Sequence, residues 1–193
     1  MSGNTSGPAL HLIEIVPSSG AAGSDELIAQ LDVLLREVGA KIVESVWAAR
    51  LNRLYVVAER VDPSSLTDRL GQAGLAVAEI APVRLIGAPV DASASPPSHL
   101  VEWDLPPDLG LDRYLKRKAE KSPLYAQVPE VQFLRTYVRE DAVKCLCLYD
   151  APDEEAVRRA RSAVSAPISR LDRVGEAATT GDAESEARAV GKG

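Results

Sequence analysis

Two carboxylates stand in the middle of short apolar segments, where an ionised side chain is unexpected. Glu14 lies within LHLIEIVP and Glu102 within HLVEWDLP. A buried carboxylate without a partner is costly, so each must be hydrogen-bonded, ion-paired or used in chemistry. One interpretation makes both residues general acids or bases that face an internal cavity. The other makes them structural, held by a partner such as Arg135 or Arg50 or exposed at a sheet edge.

Arg135 and Tyr137 are the next candidates, because they alternate with apolar residues in VQFLRTYVRE. Alternate residues of a strand share one face. Leu134 and Val138 suit a face packed against helices, which leaves Arg135 and Tyr137 on the opposite face. In a catalytic site, Arg135 would stabilise an anion and Tyr137 would donate a proton.

Two cysteines, Cys145 and Cys147, alternate with leucines in KCLCLYD. Their spacing on a strand is near the upper limit of the Cα separation that a disulfide tolerates, so we expect free thiols in a reducing compartment. Cys147 is a candidate nucleophile, but no histidine lies near it in sequence, and a buried free cysteine commonly packs as a small hydrophobe. The pattern does not decide whether the cysteine face of this strand lines the cavity.

The two histidines, His11 and His99, begin equivalent segments and are the candidate metal ligands. A Cys-x-Cys metal site needs two further ligands. If the imidazoles converge with the thiols, the site would bind nickel, copper or zinc.

Most of the aromatic mass lies on predicted strands, in a chain with one phenylalanine. Core packing is the common role of such rings. The alternative is a pocket for a planar acidic or phenolic ligand. The candidate ligand-binding residues are Trp103, Trp47, Tyr149 and Cys147.

The composition excludes several classes of partner. The chain has 193 residues and a net charge of −6, and no apolar run approaches membrane-spanning length. Nucleic acid and membranes are therefore not expected as partners, and with no secretory signal at the N-terminus a cytoplasmic location is expected. The densest basic stretch, RYLKRKAEK, predicts a solvated helix face, with phosphate or anion binding as the alternative.

The elements that position these residues occur twice. Placing His11 on His99 gives an offset that also superimposes Glu14 on Glu102, and both halves read strand, helix, strand, strand, helix, strand. This βαββαβ order predicts a ferredoxin-like unit whose open sheet face needs cover. Two units packed sheet to sheet would form an α+β barrel within one chain. The predicted segments are a degenerate first repeat (10–87), a linker (88–98), a second repeat (99–175) and a disordered tail (176–193).

The second half resembles a known family. EWDLP, RTYV and CLYDAPDEEAV are similar to motifs of the bacterial domain of unknown function 4242, whose members are described as nickel-binding or nickel-responsive. The matching positions are Glu102, Tyr137, Cys147 and Tyr149. The resemblance implies a ferredoxin-like fold that pairs into dimers, and the first half is interpreted as a tandem duplicate.

These observations favour a small-molecule-binding α+β barrel that exists as a monomer or homodimer. No cofactor is expected, although the resemblance makes nickel the candidate metal and nickel binding an alternative function. A second alternative is a cofactor-independent monooxygenase, cyclase or isomerase with Glu102 or Glu14 as the general base. A partner-binding module without a pocket is the third. The sequence leaves open whether the protein is an enzyme.

Overall fold

The computed structural model describes residues 9–17, 24–91 and 96–175. The predicted tail and the middle of the predicted linker lie outside these ranges. Within them, no helix combines the length and the apolar character needed to cross a membrane.

The two halves of the chain repeat one order of elements. The first half contains β1 (Leu10–Val16), α1 (Ser24–Glu37), β2 (Lys41–Ala48), β3 (Arg53–Glu59), α2 (Pro63–Gln72) and β4 (Ala76–Gly87). The second half contains β5 (His99–Asp104), α3 (Leu111–Lys121), a 3-10 helix (Ser122–Gln127), β6 (Gln132–Arg139), β7 (Lys144–Asp150), α4 (Glu154–Ala163) and β8 (Arg170–Arg173).

All eight strands form one antiparallel sheet that closes into a barrel. The strand order is β2-β3-β1-β4-β6-β7-β5-β8. At the first seam β4 pairs with β6, from Val83 opposite Arg139 to Gly87 opposite Arg135. At the second seam a bridge joins Ala48 at the end of β2 to Val174 just after β8. The predicted α+β barrel fold is confirmed.

Asp172 reinforces the second seam. Its buried carboxylate accepts hydrogen bonds from the backbone N–H groups of Arg50 (2.9 Å) and Leu51 (3.2 Å). It also accepts one from Arg50 Nε at 2.9 Å. Because these donors belong to the β2–β3 turn and Asp172 belongs to β8, one side chain ties the two halves together.

The barrel has an apolar interior and a separate apolar layer under each pair of helices. Leu12, Tyr55, Leu100, Tyr137 and Leu148 belong to the interior cluster. The outer layer of the first half contains buried leucines of α1 and α2. They are Leu27, Leu31, Leu35, Leu66 and Leu70. The outer layer of the second half contains both cysteines. Leu146 and Leu148 therefore face the interior, and the cysteine face of β7 packs against the helices.

Two helices begin with an aspartate that caps the first turn. At α2, Asp62 accepts a hydrogen bond from the N–H of Ser64. The negative charge of an aspartate at this position also interacts favourably with the positive end of the helix dipole. Asp153 caps α4 in the same way, accepting from the N–H of Ala156 at 2.7 Å.

Gly87 allows the close approach of strands at the first seam, and replacing it with alanine should be strongly destabilising. Its φ is +106°, and an added Cβ would lie 2.8 Å from the carbonyl oxygen of Leu134. Both the strained backbone and the clash oppose a side chain, so we expect a loss of about 2–3 kcal/mol in the free energy of unfolding. Urea unfolding followed by circular dichroism measures this loss.

Gly71→Ala is the matched control. Gly71 lies in α2, where an added Cβ would meet nothing within 4 Å. Alanine there should leave stability unchanged or raise it by up to about 1 kcal/mol. Equal unfolding free energies for the two variants would contradict the account of the seam.

Candidate functional site

The barrel interior contains a cluster of ion pairs centred on Lys144, which we call the lysine cluster. Lys144 Nζ contacts a carboxylate oxygen of Glu14 and lies 3.4 Å from Oε1 of Glu102. Arg53 binds Glu14 at 2.8 Å, and Arg170 binds Glu102. Glu14 and Glu102 lie on β1 and β5, which are four places apart in the ring of eight strands. The cluster therefore spans the barrel.

A second buried cluster, the glutamate cluster, joins Glu44 to Arg135 and Tyr137. Arg135 binds both carboxylate oxygens, through Nη2 to Oε1 at 2.8 Å and through Nε to Oε2 at 3.0 Å. The Tyr137 hydroxyl donates to Oε2 at 2.6 Å. Glu44 is on β2 and Arg135 on β6, again four places apart. This ion pair also crosses the interior.

The four candidate catalytic residues thus face the interior but belong to different clusters. Glu14 and Glu102 share Lys144, whereas Arg135 and Tyr137 share Glu44. The expected pairing of the carboxylates with Arg135 or Arg50 is wrong, because Arg50 binds Asp172 and Glu154 at the second seam. Arg53 and Arg170 bind Glu14 and Glu102 from neighbouring strands, and Lys144 reaches Glu14 across the interior.

The interior cavity is small. Glu44, Tyr55 and Tyr137 line it together with aliphatic side chains. Its volume is about 10 Å³, which is room for about one water molecule. Burial is the main cause that raises the pKa of Tyr55 and of Tyr137, so both hydroxyls stay protonated. An organic ligand does not fit in this space.

A larger pocket, which we call the outer pocket, lies on the helix side of the second half. Its volume by the same measure is about 30 Å³. Three aromatic and four cationic side chains line it. They are Trp103, Tyr114, Tyr125, Arg117, Lys118, Lys121 and Arg161. The cations of α3 come from the basic stretch that the sequence analysis singled out, so this pocket suits a compact anion.

Arg161 is the unusual member of the outer pocket. It is 2% exposed, and none of the described residues provides a carboxylate that pairs with it. Its Nη1 donates to the Tyr149 hydroxyl at 3.3 Å, its Nη2 to the carbonyl of Pro167, and its Nε has no partner. Isolated buried charges are costly, so this guanidinium requires an anion.

Cys147 lies behind Arg161 and accepts a hydrogen bond from it. The Arg161 Nη1 donates to its Sγ at 3.4 Å, and the Thr136 hydroxyl donates at 3.2 Å. The Cys145 Sγ is 3.9 Å away. The hydrogen bond from Cys145 and the charges of Lys118 and Arg161 hold the pKa of Cys147 well below its usual range. Both cysteines are free, as predicted.

The structure separates the two histidines. His11 and His99 lie on β1 and β5, on opposite sides of the barrel. Burial lowers the pKa of both imidazoles. Across the described ranges, no group of three or more histidine, cysteine or acidic side chains is arranged to hold a metal ion. The candidate ligands His11 and His99 therefore do not form one site.

The ligand-binding candidates are also divided. Trp103, Tyr149 and Cys147 lie together in the outer layer of the second half. Trp47 packs in the corresponding layer of the first half. Trp103 lines the outer pocket, whereas Tyr149 and Cys147 lie beneath it in contact with Arg161.

Three residues of these sites are absent from the sequence-based candidates. Glu44 carried the same signal as Glu14, a carboxylate inside an apolar strand, but a register shift in β2 between Ile42 and Glu44 changes which face it occupies. Lys144 begins its strand and resembles an edge residue. Arg161 sits in the arginine-rich helix RRARSA, which is typical of a solvated face.

Comparisons with known proteins agree with the fold and with the resemblance of the second half. Residues 99–174 match the sequence model of a family described as nickel-responsive protein, SCO4226-like. This match covers less than half of the chain. A search of curated proteins gives no match.

Solved structures extend the similarity to both halves. A protein provisionally described as a chlorite dismutase has a TM-score of 0.50 and 14% identity, covering 88% of this chain and 96% of the other. A provisionally described monooxygenase from Lactobacillus acidophilus NCFM has a TM-score of 0.47 and 6% identity, covering 88% and 94%. At such identities the similarity concerns the fold alone, and the chain has the mixed α+β architecture of the ferredoxin-like barrels.

Proposed function

We propose that this protein binds a compact anion in the outer pocket of its second half. Arg161 is the observation that carries the proposal, because it is a buried cation that lines a cavity and lacks a carboxylate partner in the described part of the chain. Arg117, Lys118 and Lys121 add positive charge at the same cavity. A chain with a net charge of −6 concentrates cations here, which is typical of a site that attracts anions.

The aromatic lining favours a small carboxylate with an apolar body. Trp103 packs 6.0 Å from Tyr114, between ring centroids, and the Arg161 guanidinium lies 5.6 Å from the centre of the Trp103 ring. Burial raises the pKa of Tyr125 to about 12, so its hydroxyl remains a donor at neutral pH. Flat rings and fixed donors recognise a small planar carboxylate. Inorganic phosphate is also an anion but lacks the flat apolar body, so it serves as the comparison.

Titration with benzoate and with inorganic phosphate tests the proposal. A Trp47→Phe background leaves Trp103 as the fluorescent reporter at the pocket, since the chain has two tryptophans. Arg161→Met should weaken binding at least about tenfold, and the Arg117→Gln/Lys121→Gln variant should weaken it less. Arg69→Gln is the control, because Arg69 lies on α2 and pairs with the exposed Glu37.

The outcomes separate the candidate functions. Saturable binding that depends on Arg161 supports the proposal, and the preferred probe identifies the anion class. No saturation by about 10 mM of either probe would contradict it. Nickel chloride, added in a parallel titration, tests the alternative function that the family match suggests. Saturable nickel binding by the wild-type chain would support that alternative function.

We also propose that the chain is a tandem duplication with repeats at 10–87 and 99–175. The equivalent positions of Glu14 in β1 and Glu102 in β5 support this history. Two free thiols support a cytoplasmic location. Because the barrel closes within one chain, anion binding at the outer pocket needs no second copy.

A further inference from the structure

We propose that Cys147 is a site of oxidation, at which small hydroperoxides convert the sulfur into a sulfenic acid. The residue packs in the apolar outer layer of the second half, but its sulfur also has polar neighbours. Its Sγ accepts hydrogen bonds from Thr136 at 3.2 Å and from Arg161 at 3.4 Å. A hydroxyl and a guanidinium aimed at one sulfur stabilise a thiolate, which is the reactive form.

Cys145 completes this environment. Its Sγ lies 3.9 Å from that of Cys147, on the same face of β7. The contact between the two thiols shifts their pKa values in opposite directions, raising that of Cys145 and lowering that of Cys147. A negative charge on the pair is therefore favoured at Cys147.

The outer pocket lies one side chain away from this sulfur. Cys147 is fully buried, but Arg161, which contacts it, lines the pocket. Trp103, opposite Cys145 in the strand register, also lines it. A molecule that enters the pocket therefore meets Arg161, with the thiolate directly behind. The volume of about 30 Å³ is sufficient for hydrogen peroxide.

The chemistry balances without a cofactor. The Cys147 thiolate attacks one oxygen of the hydroperoxide, an S–O bond forms and the O–O bond breaks. Sulfur loses two electrons, and the departing hydroxide or alkoxide takes a proton from water. Arg161 lies where it can stabilise the negative charge of the leaving oxygen.

Cys145 is close enough to Cys147 to react with the sulfenic acid. Its thiol can attack the sulfenic sulfur and release water, forming a Cys145–Cys147 disulfide. Residues two apart on a strand are about 6.6–6.8 Å apart at Cα, near the upper limit for a disulfide. Such a bond is strained, so cellular thiols should reduce it readily.

This inference does not depend on anion binding. A chain that fails to bind benzoate or phosphate can still be oxidised at Cys147, and a chain that binds them can resist oxidation. The two proposals therefore fail separately.

Peptide mass spectrometry after treatment of the folded protein with hydrogen peroxide and dimedone tests the inference. In Cys145→Ala, where no disulfide can form, we expect a dimedone adduct on Cys147. In the wild type we expect either this adduct or the loss of two hydrogens from the cysteine pair. Cys147→Ser should remove both products. Arg161→Met should slow oxidation at least about tenfold, with Arg161→Lys slowing it less.

The pH profile of alkylation by iodoacetamide is the second readout. An ordinary thiol reacts about tenfold faster per pH unit until its pKa of about 8.5. Cys147 in the folded Cys145→Ser variant, which keeps a hydroxyl donor at position 145, should depart from this rise and react appreciably at pH 6. The chain unfolded in guanidinium chloride should show the ordinary profile. Unmodified Cys147 in the folded chain, with full modification of the unfolded chain, would overturn the inference.

Discussion

Glu44→Leu should lower the free energy of unfolding by about 3–5 kcal/mol, the largest effect that we expect from a single substitution. Glu44 and Arg135 are 9% and 6% exposed, and the carboxylate is the ion-pair partner of the guanidinium in the described structure. Leucine fills a similar volume but leaves a buried charge without a counter-ion. It also removes the acceptor of the Tyr137 hydroxyl. Urea unfolding followed by circular dichroism measures the change.

A double variant distinguishes the effect of leaving Arg135 without its counter-ion from the effect of changed packing. Glu44→Leu/Arg135→Leu removes both charges and should recover much of the stability, since an apolar pair can replace a buried ion pair at little cost. Glu37→Leu is the control, because the Glu37–Arg69 pair is about half exposed and such pairs contribute about 0–1 kcal/mol. A double variant as unstable as Glu44→Leu would show that the side-chain shapes matter more than the charges.

Lys144→Met should be the second largest loss, about 2–4 kcal/mol. Lys144 is the shared cation between Glu14 and Glu102, which are both almost completely buried. Each carboxylate keeps one arginine, Arg53 or Arg170, so the loss should be smaller than for Glu44→Leu. Thermal and urea unfolding should both report it.

A compensating substitution tests this explanation. Adding Glu14→Gln to Lys144→Met neutralises one of the two buried carboxylates that lost the shared cation and should recover at least about 1 kcal/mol. Lys41→Met makes the same exchange at an exposed pair with Glu59 and should change stability by less than about 1 kcal/mol. If Lys144→Met were no more harmful than Lys41→Met, the lysine cluster would contribute little to folding.

The elements of the fold could be predicted because each is encoded locally. The apolar stripe of α1, the tyrosine and leucines of α3 and the alternation in β6 all depend on residues a few positions apart. Barrel closure followed from a single physical requirement, that two open sheet faces cover each other. The hydrophobic pattern therefore gave the layers and the strand faces of Arg135 and Tyr137.

The partners at the sites could not be predicted, because they come from distant parts of the chain. Glu44 and Arg135 are 91 positions apart and meet only when the barrel forms. The RRAR pattern of α4 gave no sign that Arg161 alone turns inward. The alternation around Cys145 and Cys147 was equally consistent with either face of β7, and the layer of residues beneath α3 and α4 decides the question.

The seam between β2 and β8 also determines how the chain is expected to fold. Arg50 and Asp172, which tie this seam, are 122 positions apart, whereas the β2–β3 and β6–β7 pairs join strands that follow each other in the chain. Contacts of such separation require the greatest loss of loop entropy before they stabilise anything, and they form slowly. We therefore expect the sheet of each half to form first and the barrel to close last. The rate-limiting barrier would then be the docking of two preformed sheets.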